Sequence, residues 1–438
     1  MNIDEKTVGV IVERVMATLQ NNGRVQKAQS EVDGVFATLD DAVEAAEKAQ
    51  HALTKLSLET RKGLIQAIRS AGVDNASRFA AMAHQETGLG RVEDKVQKNI
   101  LAATKTPGVE DLPPFAMTGD HGLTVIELAP WGVIGSTTPV TNPSETVINN
   151  SICMVSAGNS IVFNGHPKAA HTTREAIVTL NRAIREAGGP PNLLTTVQEP
   201  SIATAQQIMK HPGIEMIVVT GGGGVVRAAM ASGKKCIAAG PGNPPVVVDE
   251  TAVLEKAARD IVSGNSLDNN IVCSDEKELF VVESVADRLK RLMIEAGAYE
   301  VRGRLVDELL DLIVKVEPGH EEGHMNAEYV GKDAAVILHA MGVTVDRAVR
   351  TILVEVDASH PLVMTEQMMP VLPIVRVRDV DEAIRLAIKA EKRCRHTAVM
   401  HSTSLPNLST MASIINTSIF VKNGPSYAGL GFGGEGPT

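Results

Sequence analysis

The sequence predicts an α/β protein with two α/β units, each built on a largely parallel sheet. From Thr38 onward, short apolar runs alternate with helical stretches, the rhythm that places helices on both faces of parallel strands. The rhythm starts again after residue 250. Between the two stretches, Gly240-Pro241-Gly242-Asn243-Pro244-Pro245 interrupts all periodicity and sets a boundary near 240–245. At 438 residues, 44% hydrophobic and 21% charged, the chain has the composition of a soluble globular protein with sizeable cores. A net charge of −10 with 3% aromatic residues argues against a nucleic-acid-binding face. No apolar run reaches the roughly 18 residues that a membrane span needs. Four cysteines, at 153, 236, 273 and 394, form neither a CxxC pair nor a disulfide framework, which fits a reducing cytosol.

Residues 1–20 stand apart. Val8, Ile11, Val12, Val15, Met16 and Leu19 recur at three- and four-residue spacing and give one face of a short helix an apolar stripe. Asp4, Glu5 and Glu13 argue against a secretory or mitochondrial leader. The stripe fits a first helix packed on the body or a docking helix that binds another protein's groove. Residues 21–33, opened by Asn21-Asn22-Gly23, read as a linker. Thr38-Leu39-Asp40-Asp41 then starts a helix that runs to about Leu53. Further helices are expected over 58–72, 75–87 and 91–104. Strands are expected over 124–128, 132–136, 160–163, 193–197, 216–220 and 245–248. After residue 250 they are expected over 278–282, 335–338, 351–355, 371–376 and 398–401.

Cys273 follows the polar stretch Ser266-Leu267-Asp268-Asn269-Asn270 and precedes a strand. A thiol on such a loop can reach a cleft as a nucleophile, although a buried apolar role is commoner for cysteine. Asn142 lies in Thr138-Pro139-Val140-Thr141-Asn142-Pro143, where the prolines fix a loop. Its amide can cap the following helix or donate to an oxyanion. Thr220-Gly221-Gly222-Gly223 follows a strand and opens a helix, a tight turn that also suits a phosphate. His396 and His401 flank a short strand; histidines there are structural or serve as proton acceptors beside a thiol. Two motifs mislead. Gly429, Gly431 and Gly434 fit GxGxxG but leave no room for a βαβ unit, and His320-Glu321-Glu322-Gly323-His324 fits HExxH with too poor a helix propensity to hold zinc.

Taken in order, several segments resemble the aldehyde dehydrogenase superfamily, and within it the CoA-acylating enzymes of bacterial microcompartments of the propionaldehyde (propanediol-utilisation) type. They are Glu86-Thr87-Gly88-Leu89-Gly90 with Glu93-Asp94-Lys95, Thr106-Pro107-Gly108-Val109-Glu110-Asp111, Thr141-Asn142-Pro143, Gly158-Asn159-Ser160 and the Thr220 turn. Beyond them come Gly242-Asn243-Pro244-Pro245, the Cys273 loop, Thr365-Glu366-Gln367 with Pro370, His396-Thr397-Ala398 and Val421-Lys422-Asn423-Gly424-Pro425-Ser426.

The resemblance implies an aldehyde dehydrogenase fold: a Rossmann-like NAD-binding domain over 34–109 and 130–240, a catalytic domain over 241–424, and a β oligomerisation flap over 110–129 and 425–438, its tail strand incomplete. It implies that Cys273 attacks a short-chain aldehyde, propionaldehyde, and that the Asn142 amide holds the oxyanion. NAD takes the hydride, and coenzyme A then releases acyl-CoA with help from His396. Thr138, Pro139, His166, Pro167, Thr220, Gly221, Gly222, Gly223 and Glu366 would bind the cofactor. Hydrolytic members keep a water-activating Glu about 34 residues before the nucleophile; counting back 34 from Cys273 reaches Ala239, which disfavours the alternative of release as free acid. Where hydrolytic members carry a ribose-binding Lys, this chain has His166-Pro167. The resemblance also implies a homo-oligomer in the bacterial cytoplasm inside a microcompartment, docked to a shell protein through residues 1–20.

Overall fold

The computed structural model describes residues 34–434 apart from 318 and 321. The stripe over 1–20, the linker over 21–33 and the last four residues of the expected flap lie outside the described residues. In chain order the strands are β1 (Val35–Phe36), β2 (Phe115–Gly119), β3 (Gly122–Ile126), β4 (Val133–Thr137), β5 (Ser160–Asn164), β6 (Leu194–Val197), β7 (Met216–Thr220), β8 (Lys235–Ala239) and β9 (Pro245–Val248). They continue as β10 (Glu278–Val282), β11 (Ala298–Val301), β12 (Val314–Val316), β13 (Gly323–Met325), β14 (Thr351–Glu355), β15 (Val371–Val377), β16 (Thr397–His401) and β17 (Ile419–Lys422). The described residues fall into two compact units. Residues 34–74, 107–220 and 227–238 form the first, and 75–106, 221–226 and 239–434 the second. Residues 75–106, assigned from the sequence to the NAD-binding domain, pack with the second unit.

In the first unit the sheet order is β1-β6-β5-β4-β7-β8, and the ladders from β1 through to β7 are parallel. β4, β5 and β6 are buried along their whole length, as the continuous apolar character of parallel strands requires. The helix Leu39–Leu53 covers the sheet with Leu39, Ala42, Val43 and Ala46 against Val133, Val162 and Val197. Its N-terminus is fixed by the Thr38 hydroxyl, which accepts from the Asp41 N–H at 3.2 Å, with Asp40 and Asp41 in the first turn. The hairpin β2–β3 pairs Phe115 with Ile126 and Gly119 with Gly122. Both of its strands are exposed from end to end, including Leu123 at 65% and Phe115 at 58%.

The second unit carries a seven-stranded sheet, β11-β14-β15-β10-β9-β16-β17, parallel in every ladder. Two apolar cores lie on its faces, one around Val246, Leu279, Val281 and Ile261, the other around Val247, Phe280, Ala383 and Met400. The alternation of neighbouring strand residues between these cores is the period-2 rule at work. One expectation fails: residues 335–338 are not a strand but part of the helix Ala334–Ala340. Ala334, Ile337 and Leu338 are buried while Val336 is 49% exposed, a three- and four-residue spacing that a seven-residue apolar run does not reveal in advance. The sequence reading also passes over β1, β8, β11, β12, β13 and β17, which are short or lie at sheet edges. No helix among the described residues is long and apolar enough to cross a membrane.

Candidate active site

Cys273, Glu366, His396 and Gly242 share one structural address in the second unit. Each lies in a polar or Gly/Pro stretch just before a strand: Gly242 before β9, Cys273 before β10, Glu366 before β15 and His396 before β16. These four strands are consecutive in the sheet, so their amino ends gather the four residues. Gly242 is the junction. A methyl group there would meet the Cys273 carbonyl oxygen at 2.6 Å and the His396 ring at 3.1 Å. Its N–H donates to the Glu366 carboxylate. Asn243, next in the chain, fixes this junction by donating from Nδ2 to the carbonyls of Val363 (3.1 Å) and Ala390 (2.9 Å).

The loop before Cys273 is held in an uncommon backbone state. Asp268, Asn269 and Asn270 have φ of 45°, 57° and 65°, the left-handed region that Asn and Asp enter most readily after glycine. That is the physical content of the Asp-Asn-Asn run. Asp268 is fully buried, 2.9 Å from Lys95 Nζ and 2.5 Å from Lys98 Nζ, and accepts from the Arg91 N–H at 2.6 Å. Burial alone would raise its carboxyl, but Lys98 and Lys95 outweigh that and hold it below the ordinary carboxylate value. Gly90 lies against it: a methyl group there would come within 1.9 Å of Asp268 Oδ1. The Glu86–Gly90 and Glu93–Lys95 motifs are thus the cradle of the loop that leads to Cys273, with Asp94 Oδ2 accepting the Asp268 N–H at 2.9 Å.

Cys273 itself is half-buried in a turn closed by the Asp275 N–H to the Val272 carbonyl at 3.1 Å. Burial pushes its thiol up to about 11, the Glu366 carboxylate adds to the rise, and Lys277, its own N–H and Lys98 pull it back. Cys153 is pushed equally high by burial, so acidity alone does not single out Cys273. Its neighbours do. Burial keeps the His396 imidazole below its ordinary value against the opposing Glu366 charge, leaving a neutral ring that can accept a proton at pH 7. Its Nδ1 lies 2.9 Å from the Thr397 hydroxyl. Glu276, fully buried, accepts from the Ser426 N–H (2.8 Å) and hydroxyl (2.6 Å), which explains the Val421–Ser426 motif.

Thr138, Pro139, His166, Pro167 and Thr220, among the candidate cofactor residues, lie along one sheet edge of the first unit, while Gly221, Gly222, Gly223 and Glu366 belong to the second. The chain runs β4, β5, β6 outward, then returns to β7 on the other side of β4, so β4 and β7 flank a topological switch point, the usual place for a dinucleotide at the carboxyl ends of strands. Thr138, Pro139 and Asn142 follow β4, His166 and Pro167 follow β5, and Thr220-Gly221-Gly222 follows β7 into the helix Gly223–Met230. The Thr137 and Thr138 hydroxyls are buried with no protein partner, as a polar ligand at this edge requires. Asn142 precedes the helix Pro143–Ser156 without capping it; its Nδ2 donates to the Thr141 hydroxyl at 3.1 Å.

Other sequence candidates separate from these groups. His401 lies at the opposite end of β16 from His396, buried, with its imidazole pushed down to about 3. His320 sits beside a turn and His324 in β13, so the HExxH pair shares no helix. Gly429, Gly431 and Gly434 belong to a short 3₁₀ helix and the turn after it. A cavity of about 890 Å³ in the first unit, lined by Thr38, Gln198, Glu199, Gln207, Lys210 and His211, contains none of the candidate residues.

The aldehyde dehydrogenase family model matches residues 20–436. The chain belongs to the aldehyde dehydrogenase family. It is 50% identical over 437 residues to the acetaldehyde dehydrogenase (acetylating) of Salmonella typhimurium, covering 100% of this chain and 93% of that one. A solved Rhodopseudomonas palustris propionaldehyde dehydrogenase with bound CoA and an acylated cysteine matches at 48% identity with a TM-score of 0.89, covering 92% of each chain. A propionaldehyde dehydrogenase from the Clostridium phytofermentans fucose utilisation bacterial microcompartment matches at 44% identity, TM-score 0.89, again over 92% of each. Ala239, 34 residues before Cys273, ends β8, is exposed, and offers no carboxylate.

Two expectations follow. Gly242→Ala must push back the Cys273 carbonyl, so turnover should fall about 10²-fold with the melting temperature little changed; wild-type turnover in this variant would show that the contact does not set the thiol's position. The second concerns pH. Burial raises the Glu276 carboxyl to about 7 against the Ser426 hydrogen bonds. A carboxyl raised on folding takes up a proton as the protein folds, so its stabilising effect is complete below the unfolded value and is lost as pH rises through 7. Between pH 5 and pH 8, Glu276→Gln should lose about 1–3 kcal/mol less stability than wild type in urea denaturation. An equal loss in both proteins would contradict the assignment.

Proposed function

We propose that this aldehyde dehydrogenase oxidises a short-chain aldehyde, propionaldehyde in the first instance, to its acyl-CoA through a thioester on Cys273. The observation that carries this reading is the meeting of Cys273 and a neutral His396 across Gly242, with alanine where hydrolytic relatives place their water-activating carboxylate. Bound NAD supplies the hydride acceptor and coenzyme A the thiol that accepts the acyl group.

The protein's own residues divide the work. Cys273 Sγ attacks the aldehyde carbon, and the oxyanion that forms is held by the Asn142 amide and the Cys273 N–H. Support for Asn142 is its side chain, which does not cap the helix it precedes. Thr138, Pro139, His166, Pro167, Thr220, Gly221, Gly222 and Gly223 hold the dinucleotide; the unpartnered Thr138 hydroxyl and the switch-point position support them. Glu366 holds the nicotinamide ribose by resemblance. With the acyl group on Cys273, His396 takes the proton of the incoming CoA thiol. One observation favours a second reading, hydrolysis to the free acid: Glu366 is a carboxylate within electrostatic reach of Cys273. Its N–H partner at Gly242 and its place before β15 suit ribose binding better than water activation.

Cys273→Ser should abolish NADH formation, and Asn142→Ala should lower kcat by about 10²–10³. Without CoA, wild type should give a burst of NADH and then near-arrest. Sustained CoA-independent turnover to carboxylic acid would select the hydrolytic reading.

The exposed apolar hairpin β2–β3 supports assembly as a homo-oligomer, because an uncovered strand pair of this composition invites pairing. Residues 1–20 are proposed to dock on a microcompartment shell protein in the bacterial cytoplasm. The family model begins at residue 20, so the apolar stripe precedes the matched residues, and an isolated helix of this length gains most by folding in a partner's groove. Deleting residues 1–20 should leave activity and melting temperature unchanged while abolishing co-purification with shells. If Ile11→Asp or Val15→Asp enzyme still enters shells, the stripe is not the docking element.

A further inference from the structure

We propose that Lys277 is the positioning residue of the Cys273 nucleophile and the buried counter-charge of its thiolate. The inference rests on the reading of Cys273 as the nucleophile. Lys277 is fully buried, and its Nζ donates to the Asn270 carbonyl at 2.8 Å, the Asn270 side-chain oxygen at 2.6 Å and the Val272 carbonyl at 3.3 Å. The two carbonyls bracket Ile271, so one ammonium ties the end of the left-handed stretch to the residue before the thiol. Its own N–H donates to the Pro244 carbonyl at 3.0 Å, which fixes the lysine to the opening of β9, next to the Gly242 junction. Asn270 is secured a second time, its Nδ2 donating to the carbonyls of Asn265 (2.7 Å) and Glu276 (3.1 Å).

The charge of Lys277 has a use beyond the staple. All three of its hydrogen bonds go to uncharged oxygens, so no carboxylate bonded to it spends its field. The titratable and charged groups around Cys273 are Glu366 on the segment before β15, His396 before β16 across Gly242, Lys98 on the helix Val92–Lys105, and Asp275 and Lys277 on its own loop. Lys98 is paired with Asp268, and burial pushes Asp275 far up toward its neutral form. Against the Glu366 carboxylate, Lys277 is the larger of the two cationic influences on the thiol and, unlike those of Lys98, its hydrogen bonds reach no carboxylate. A lysine that only stapled the loop would have the opposite signature: loosening the loop exposes the sulfur and speeds its reaction with external reagents, whereas removing a counter-charge lowers the thiolate fraction and slows it.

The sign of that change tests the inference. Iodoacetamide alkylation of Cys273 would be followed by peptide mass spectrometry on the full-length protein between pH 7 and pH 9. Lys277→Met should alkylate about tenfold more slowly than wild type at each pH, the effect of about one unit in the thiol's acidity. Alkylation at or above the wild-type rate would overturn the proposal. Lys277→Arg keeps the charge but not the reach, and decides the matter even if the neutral variant does not fold. Alkylation within about threefold of wild type, with turnover at least tenfold lower, supports both halves of the role. Alkylation slowed tenfold in that variant rejects the counter-charge. Alkylation needs neither NAD nor CoA, so a wild-type enzyme without CoA-dependent NADH formation would sink the functional reading and leave these rates to stand or fall separately.

Discussion

Asp268 brings two lysines and a backbone N–H to a carboxylate that has no access to water, and it does so at the first of three consecutive residues with positive φ. Backbone in that region is strained for most side chains by on the order of 1 kcal/mol or more per residue, and it persists only where the surroundings over-determine it. Here they do. Asp268 is tied to the helix Val92–Lys105 by Lys95 and Lys98, Asn269 reaches the Gly331 carbonyl and Asp333, and Asn270 is bonded on both sides of its amide. Cutting one partner from a buried ion cluster typically costs about 3–5 kcal/mol because a charge is left behind. Everything downstream inherits this geometry: the turn at Cys273, the approach of its carbonyl to Gly242, and through Gly242 the positions of Glu366 and His396.

The same dependence explains how the chain could be read. Strands and helices in the interior of each unit were legible because their runs are long and bounded by Gly, Pro or capping residues; β7, β9, β10 and β14 fall where the apolar runs predict. The helix Ala334–Ala340 was not, since a short apolar run has no period that separates strand from helix. Edge strands such as β8, with alternating exposure, and β11, at the end of its sheet, carry too little hydrophobic signal to stand out. Of the candidate site, Cys273, Asn142 and His396 were singled out from their loops and given roles by resemblance, which alone supplied Glu366, yet the contacts of Gly90, Lys95, Gly242, Lys277 and Ser426 were not foreseen. Most of their contacts join residues far apart in sequence, 173 positions in the case of Lys95 and Asp268. Those of Lys277 are local, but its full burial shows only in the fold. A signal was present all the same: four acidic or basic residues in a row, Asp275 to Glu278, run directly into an apolar strand, and such a run must either be solvated or be spent on a buried network.

The two sheets are used at different ends. In the first unit Thr138, Pro139, His166, Pro167 and Thr220 stand at or beyond the carboxyl ends of β4, β5 and β7, where helix N-termini and free N–H groups favour phosphates. In the second, Gly242, Cys273, Glu366 and His396 precede the amino ends of β9, β10, β15 and β16. Loops entering strands can be short, polar and rigid because each is anchored at once to its strand and to a neighbour's, as Lys277 is to Pro244. Such a setting suits a nucleophile whose carbonyl and N–H must both keep fixed directions.

A thiol pushed up to about 11 is seldom a thiolate at pH 7, but the thiolate that forms is a strong nucleophile because nucleophilicity rises with basicity. The raised value therefore favours acylation once a proton has been removed. Release runs the other way. When CoA displaces the acyl group, the Cys273 sulfur must leave with a negative charge, and a sulfur of high basicity leaves slowly. The cations near it, Lys277 and Lys98, oppose Glu366 and burial at that moment, and the neutral His396 across Gly242 is placed to supply the other half of the exchange by taking the CoA proton. Water is a weaker nucleophile than a thiolate, and at 239, where the resemblance to hydrolytic members would put a base, this chain has alanine. On the proposed reading, the preference for CoA over water is then a matter of which acceptor can be deprotonated within reach of the thioester, and that function falls to the His396 imidazole before β16.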